Sequence, residues 1–145
     1  MYQKLQSDMK IYMKNKDSVR LSVLRLLLSD IKNESIAAHV DVPSDDLVFK
    51  VIVKNIKQRE ESIKIYRDIN NVGLADSEEK ELIFLREFMP QQLSDQELEN
   101  IVKSEIGEID NFKVQDMGKI IGNISKDYPN MVEGKRISDV VRKFL

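Results

Sequence analysis

The chain predicts an all-α protein in two parts, an N-terminal helical bundle of about four helices followed by a small three-helix C-terminal unit. Three observations carry that expectation. Every strong apolar pattern repeats at the i, i+3, i+4, i+7 spacing of a helix face. Only five glycines and three prolines occur in 145 residues, so few breakers interrupt those patterns. Hydrophobic residues make up 41% and charged residues 33%, a balance that suits a folded helical chain rather than a disordered one.

The elements follow in order. A first helix is expected from Tyr2 to about Asn15, and Asp17 then suits an N-cap because its carboxylate accepts from orphan amides. The second helix carries Leu21, Leu24, Leu28 and Ile31 on one stripe, widened by Val23 and Leu27, and fades after Ala38 before Pro43. Ser44 caps a long third helix from Asp45 to about Asn70, with Val48, Ile52, Ile56, Ile63 and Tyr66 at helical spacing. Asn70-Asn71-Val72-Gly73 reads as a turn ended by a capping box at Asp76 and Glu79. The fourth helix runs through Leu82, Leu85, Phe88 and Met89 to Pro90. A boundary in the 88–93 segment separates a domain of residues 1–92 from one of residues 93–145. There Ser94 and Glu97 form another capping box, leading into Leu98, Ile101, Val102 and Ile106. Helices near Val114–Tyr128 and Glu133–Leu145 complete the set.

Several chemistries lack the residues they need. Cysteine is absent, which removes disulfides, thiolate metal sites and cysteine nucleophiles. His39 is the single histidine and lies in an expected loop, so it offers neither a Ser–His pair nor a metal cluster. Asp45-Asp46 and Glu78-Glu79 stand at expected helix starts, where the helix dipole accounts for them. There is no Gly-x-Ser-x-Gly elbow, no Walker loop and no Gly-x-Gly-x-x-Gly, so no cofactor, metal or catalytic residue is expected. No run approaches the ~18 apolar residues of a membrane helix and no signal peptide is visible, so the expected location is the cytoplasm or an organelle matrix.

Charge is distributed unevenly. The net charge is −2 and the pI near 5.5, which argues against a general nucleic-acid coat. Residues 1–32 carry seven basic against three acidic side chains, and residues 76–110 carry three against eleven. Such asymmetry lets one face approach phosphate while another repels it. The C-terminal thirty residues are the most specific part. Ile137, Val140, Val141, Phe144 and Leu145 form an apolar stripe, with Lys135, Arg136, Arg142 and Lys143 off it. Gly118 and Gly122 lie four apart on one helix face, at a cost of about 1 kcal/mol each against alanine, which suggests close approach of another backbone. Lys119 adjoins them, and Gly134 precedes Lys135 and Arg136 at a helix start whose amides attract anions. Arg142 and Lys143, near that helix's C-terminus, are favoured by its dipole. Tyr128 is the aromatic side chain nearest this cluster in an expected loop.

The Met117-Gly118-Lys119-x-x-Gly122 run and the Glu133-Gly134-Lys135-x-x-Ser138-x-x-Val141 helix together resemble the GatB/YqeY family. The resemblance extends over essentially the whole chain, through Leu21-Ser22-Val23-Leu24-Arg25, Lys57-Gln58-Arg59-Glu60-Glu61-Ser62 and Phe88-Met89-Pro90-Gln91-Gln92-Leu93. Asn70-Asn71 stands where relatives often show Gly-Arg-x-Asp-Leu. That family includes small free-standing proteins and the tail of a tRNA-dependent amidotransferase B subunit, whose family label is glutamine-dependent carbon–nitrogen ligase. The resemblance implies tRNA as partner and a non-catalytic accessory role, since the B subunit's catalytic domains have no counterpart here. On this expectation Lys119, Lys135, Arg136, Arg142, Lys143 and Tyr128 are tRNA-binding candidates, with Gly118, Gly122 and Gly134 allowing close approach. The alternative expectation is an adaptor that docks on an amidotransferase or another translation component through residues 76–110. An amide-transfer enzyme ranks third.

Overall fold

The computed structural model describes residues 1–145 and contains seven α-helices, one 3-10 turn and no strand. It divides into two compact units, Met1–Phe88 and Met89–Leu145. The division falls ahead of the 92/93 point expected from sequence. The reason is local: Leu93 donates its N–H to the Met131 carbonyl at 2.9 Å, and the Gln92 side chain donates to the Asn130 carbonyl at 2.8 Å. Those bonds tie the segment after Pro90 to the C-terminal unit.

The first unit consists of α1 (Tyr2–Lys14), α2 (Ser18–Ala37), α3 (Asp45–Asp68) and α4 (Val72–Arg86). Asp17, Ser44 and Asn71 are side-chain N-caps, accepting from the amides of Arg20, Leu47 and Leu74 at 3.2 Å each. Three of these helices also end alike. Lys16, His39 and Asn70 adopt φ near +60°, and the next residue's amide reaches back to the carbonyls of Tyr12, Ser35 and Tyr66. This is the Schellman closure, normally given to glycine. His39 is therefore the left-handed cap of α2.

One expected start is corrected. Asn71 closes α3 and opens α4 at once, so Val72 and Gly73 are already helical and Asp76 sits inside α4 rather than at its cap. A single residue does both jobs because its amide finishes one helix while its side chain satisfies the next.

The core of this unit is aliphatic, with Leu5, Val23, Leu24, Leu27, Ile31, Val48, Ile52 and Leu85 almost fully excluded from water. Phe84 links Tyr12 and Phe88 edge-to-face at 5.6 and 5.1 Å, and the Arg20 guanidinium lies 5.5 Å from its ring centroid. Two polar residues occupy core positions of α3. Asn55 donates to Asp30 of α2 at 3.1 Å and to the Val51 carbonyl at 3.0 Å. Arg59 donates to Asn55 Oδ1 and to Glu81 Oε2 of α4, each at 3.3 Å. The row Asp30–Asn55–Arg59–Glu81 thus crosses three helices, and no buried side-chain nitrogen or oxygen lacks a partner.

The second unit holds α5 (Asp95–Gly107), a 3-10 turn (Val114–Asp116), α6 (Met117–Asp127) and α7 (Gly134–Arg142). Ser94 and Glu97 form the full capping box at the start of α5, with bonds of 3.1 and 2.9 Å. Leu93, Leu98, Val102, Ile120, Ile124, Ile137 and Val141 build its core. Apart from Leu93, which precedes the Ser94 cap, each comes from the apolar stripe of its helix, so three short helices share one small core. Leu145, although on the α7 stripe by spacing, is 54% exposed. The stripe runs past the helix end at Arg142, and the last residue has no core left to cover it.

Candidate nucleic-acid interface

The sequence sets the outer face of α6 through its inner one. Ile120 and Ile124 are buried, which turns Gly118, Gly122 and Ser125 outward as one row. Asp116 accepts the Lys113 amide at 2.9 Å and so closes the 3-10 turn that leads into the helix. A Cβ placed on Gly118 or Gly122 would meet nothing within 4 Å. No neighbouring helix of this chain uses the gap they leave, so the close approach expected at these glycines is not made within the protein. Both instead lie on an open surface.

Helical geometry places Ile121 on one side of that row, and Lys119 and Lys126 on the other. Gly134 sits against Ile121, with its would-be Cβ 4.0 Å from Ile121 Cγ2. The start of α7 therefore stands beside the middle of α6. It brings the exposed Lys135 to the same region, and no side chain caps the first amides of α7. The result is a shallow surface with glycines as its floor, lysines along one edge and a helix N-terminus along the other. Lys126 was not among the sequence candidates. Its signal is its spacing, seven residues after Lys119 and so on the same helix face.

The other candidates are placed differently. Arg136 is half-buried and already occupied: Nη2 donates to the Leu93 carbonyl at 3.0 Å and to Asp95 Oδ1 at 2.9 Å. It anchors α7 to the start of α5, which explains why a cation is kept at an unfavourable helix end. Tyr128 packs its ring against the core of the unit and caps α6, donating its amide to the Ile124 carbonyl at 2.9 Å. Arg142 and Lys143 are exposed at the far end of α7. Between residues 119 and 143 there are six basic and three acidic side chains, whereas residues 95–110 hold six acidic and one basic. Within this unit α6 and α7 are the cationic part and α5 the anionic part.

The structure thus defines an all-helical protein of two units, the second with a basic, glycine-floored face. The chain belongs to the YqeY-like protein family, whose model matches residues 2–145. It is 33% identical over 82 residues to an uncharacterized protein of Schizosaccharomyces pombe, covering 57% of this chain and 66% of that protein. It is 34% identical over 85 residues to the altered inheritance of mitochondria protein 41 of Vanderwaltozyma polyspora, covering 59% of this chain and 46% of that one. The corresponding Pyrenophora tritici-repentis protein is 25% identical over 123 residues, 83% of this chain and 67% of its own length. The chain thus matches less than two thirds of the length of the first two relatives. No helix of this protein is long and apolar enough to cross a membrane.

Proposed function

We propose that this protein is a non-catalytic tRNA-binding accessory module, and that the α6–α7 face of its C-terminal unit holds the sugar-phosphate backbone. One observation carries the reading: Gly118 and Gly122 leave an open, side-chain-free row that this chain's own packing does not use. Gly122 lies in the interior of α6, where glycine costs about 1 kcal/mol against alanine. A backbone arriving from outside is the partner such a row accommodates. Lys119, Lys126 and Lys135 flank it with cations for phosphate, and the uncapped start of α7 adds amide donors. Recognition of this kind reads shape and backbone rather than base sequence, so binding falls steeply with salt. The choice of tRNA over other RNA rests on the resemblance of this unit to the tail of the tRNA-dependent amidotransferase B subunit.

The test is fluorescence anisotropy of labelled total tRNA with the purified protein. The variant to compare is Lys119→Glu/Lys135→Glu, not a change at Arg136, whose loss would release Leu93 and Asp95 and disturb the unit itself. Expected is saturable binding that weakens about tenfold or more in the variant and across roughly 50 to 200 mM salt. Binding that ignores both changes would remove this face from consideration. No binding at tens of micromolar would hand the lead to the adaptor reading.

A further inference from the structure

The N-terminal unit holds a second surface, independent of the α6–α7 face. A cleft of about 260 Å³ opens between α2, α3 and α4. Arg59 reaches it from α3, 7% exposed and held by Asn55 and Glu81. Glu81 gives Oε2 to that guanidinium and keeps Oε1. Glu78, one turn earlier on α4, lines the same cleft and makes no hydrogen bond or ion pair. Burial and the neighbouring Glu81 carboxylate push the Glu78 carboxyl above its ordinary value, against a smaller pull from Arg59. Ser62 sends its proton to the Gln58 carbonyl at 3.0 Å, so what it offers the cleft is lone pairs. Val23 and the half-exposed Leu26 of α2 supply an apolar wall.

We propose that this cleft binds a primary alkylammonium group, its nitrogen among Glu78, Glu81 and Ser62 and its methylene stem along Val23 and Leu26. The acceptor count fits: an ammonium has three donors, and Glu78, the second oxygen of Glu81 and Ser62 are three acceptors. The charge fits as well. Two carboxylates and one guanidinium leave a single negative charge, which a monocation neutralises. The polar row from Asp30 ends at Glu81, and Glu78 stands beside that end on α4 outside the row. A guanidinium ligand fits less well, because its planar fork calls for a bidentate carboxylate and Arg59 already holds Glu81. The volume lies below the roughly 300–1,000 Å³ of drug-sized sites and suits a group the size of one side chain. A long stem beside an apolar wall with its charged head among acceptors is the ordinary way a lysine-type chain is held. A free aliphatic amine and the lysine side chain of a partner protein present this same group.

The experiment is an amide chemical-shift titration of the full-length, isotope-labelled protein with n-butylamine, a lysine-containing peptide and uncharged n-butanol. Saturable shifts around Glu78 and Ser62 are expected with both amines and not with butanol. Glu78→Gln should weaken them about tenfold, the loss of a charge-assisted bond. Glu79→Gln should leave them unchanged, because Glu79 pairs with Arg67 and does not line the cleft. The same spectra report whether each variant is folded. Tighter binding of the peptide assigns the site to a protein lysine, and equal or weaker binding assigns it to a free amine. Absence of saturable shifts with the amines, or equal affinity in Glu78→Gln, overturns the proposal.

Discussion

At the scale of single residues, the chain places side chains where glycine or an aliphatic group would be the simpler choice. Lys16 and His39 adopt φ of 56° and 57°. An L residue there gives up roughly 1–2 kcal/mol relative to its right-handed conformation. Lys16→Gly is therefore expected to raise stability by about 0.5–1 kcal/mol in urea melts, since Lys16 is exposed and makes no ion pair. Arg59 shows the opposite balance. Arg59→Ala should cost about 2–3 kcal/mol because it removes the partner of the half-buried Glu81 carboxylate and of Asn55 Oδ1. An Arg59→Met/Glu81→Leu double variant should recover much of that loss, which the same melts would show. Glu78 gives a pH dependence with a definite sign. Its folded-state pKa lies above the ordinary 4.5, so the folded form binds the proton more tightly and stability falls as pH rises through that region. Glu78→Gln should match wild type near pH 4 and become slightly more stable at neutral pH, by a margin that solvent screening of this partly exposed carboxyl keeps small. Thermal melts across that range would show the two curves separating.

At the scale of elements, caps rather than intrinsic propensity decide where the helices begin and end. The α5 start is fixed by the reciprocal Ser94 and Glu97 bonds. Ser94→Ala should cost about 1 kcal/mol in the C-terminal unit, visible as earlier loss of amide-exchange protection in α5. Arg136 plays a comparable part between elements, joining the α7 start to Leu93 and Asp95. Arg136→Ala is expected to destabilise the unit by about 1–2 kcal/mol, and the same exchange experiment reads it from α7. The capping box at Asp76 and Glu79 was plausible in sequence but lost to Asn71, which sits at the end of the preceding Schellman closure. Asn tolerates the left-handed conformation that the neighbouring Asn70 adopts at φ 59°. A three-residue turn, Ile69 to Asn71, was therefore possible, and five more residues, Val72 to Asp76, joined α4.

At the scale of the whole molecule, charge is divided between surfaces in a way that a net value of −2 conceals. The acidic stretch from residue 76 to 110 belongs partly to α4, where it lines the cleft with Glu78 and Glu81, and partly to α5. The basic residues from 119 to 143 belong to α6 and α7. Each unit closes its own aliphatic core, so each face is set within one unit. Charge reversal at Lys119 and Lys135 should leave thermal stability within about 0.5 kcal/mol, since both are exposed and outside every ion pair, while weakening tRNA binding. A loss of binding accompanied by unfolding would instead mean that these lysines support the fold.

The sequence by itself determined the helical class, the number of helices and most of the buried stripes, because helix periodicity and capping are local and leave their marks at fixed spacings. It also carried the family, through motifs spread along the whole chain. Tertiary structure alone decided which polar residues are spent on the fold. Asn55 and Arg59 fall on the buried stripe of α3 between Ile52 and Ile63, a hint in the spacing, but their partners lie 25 and 22 residues away on other helices. Arg136 is one of the anion contacts expected from sequence, yet it is bound to Leu93 and Asp95, more than forty positions distant in the chain. Gly118 and Gly122 looked like a packing seam and face open space. Periodicity fixes the face on which a side chain lies; what stands opposite that face depends on how distant helices pack.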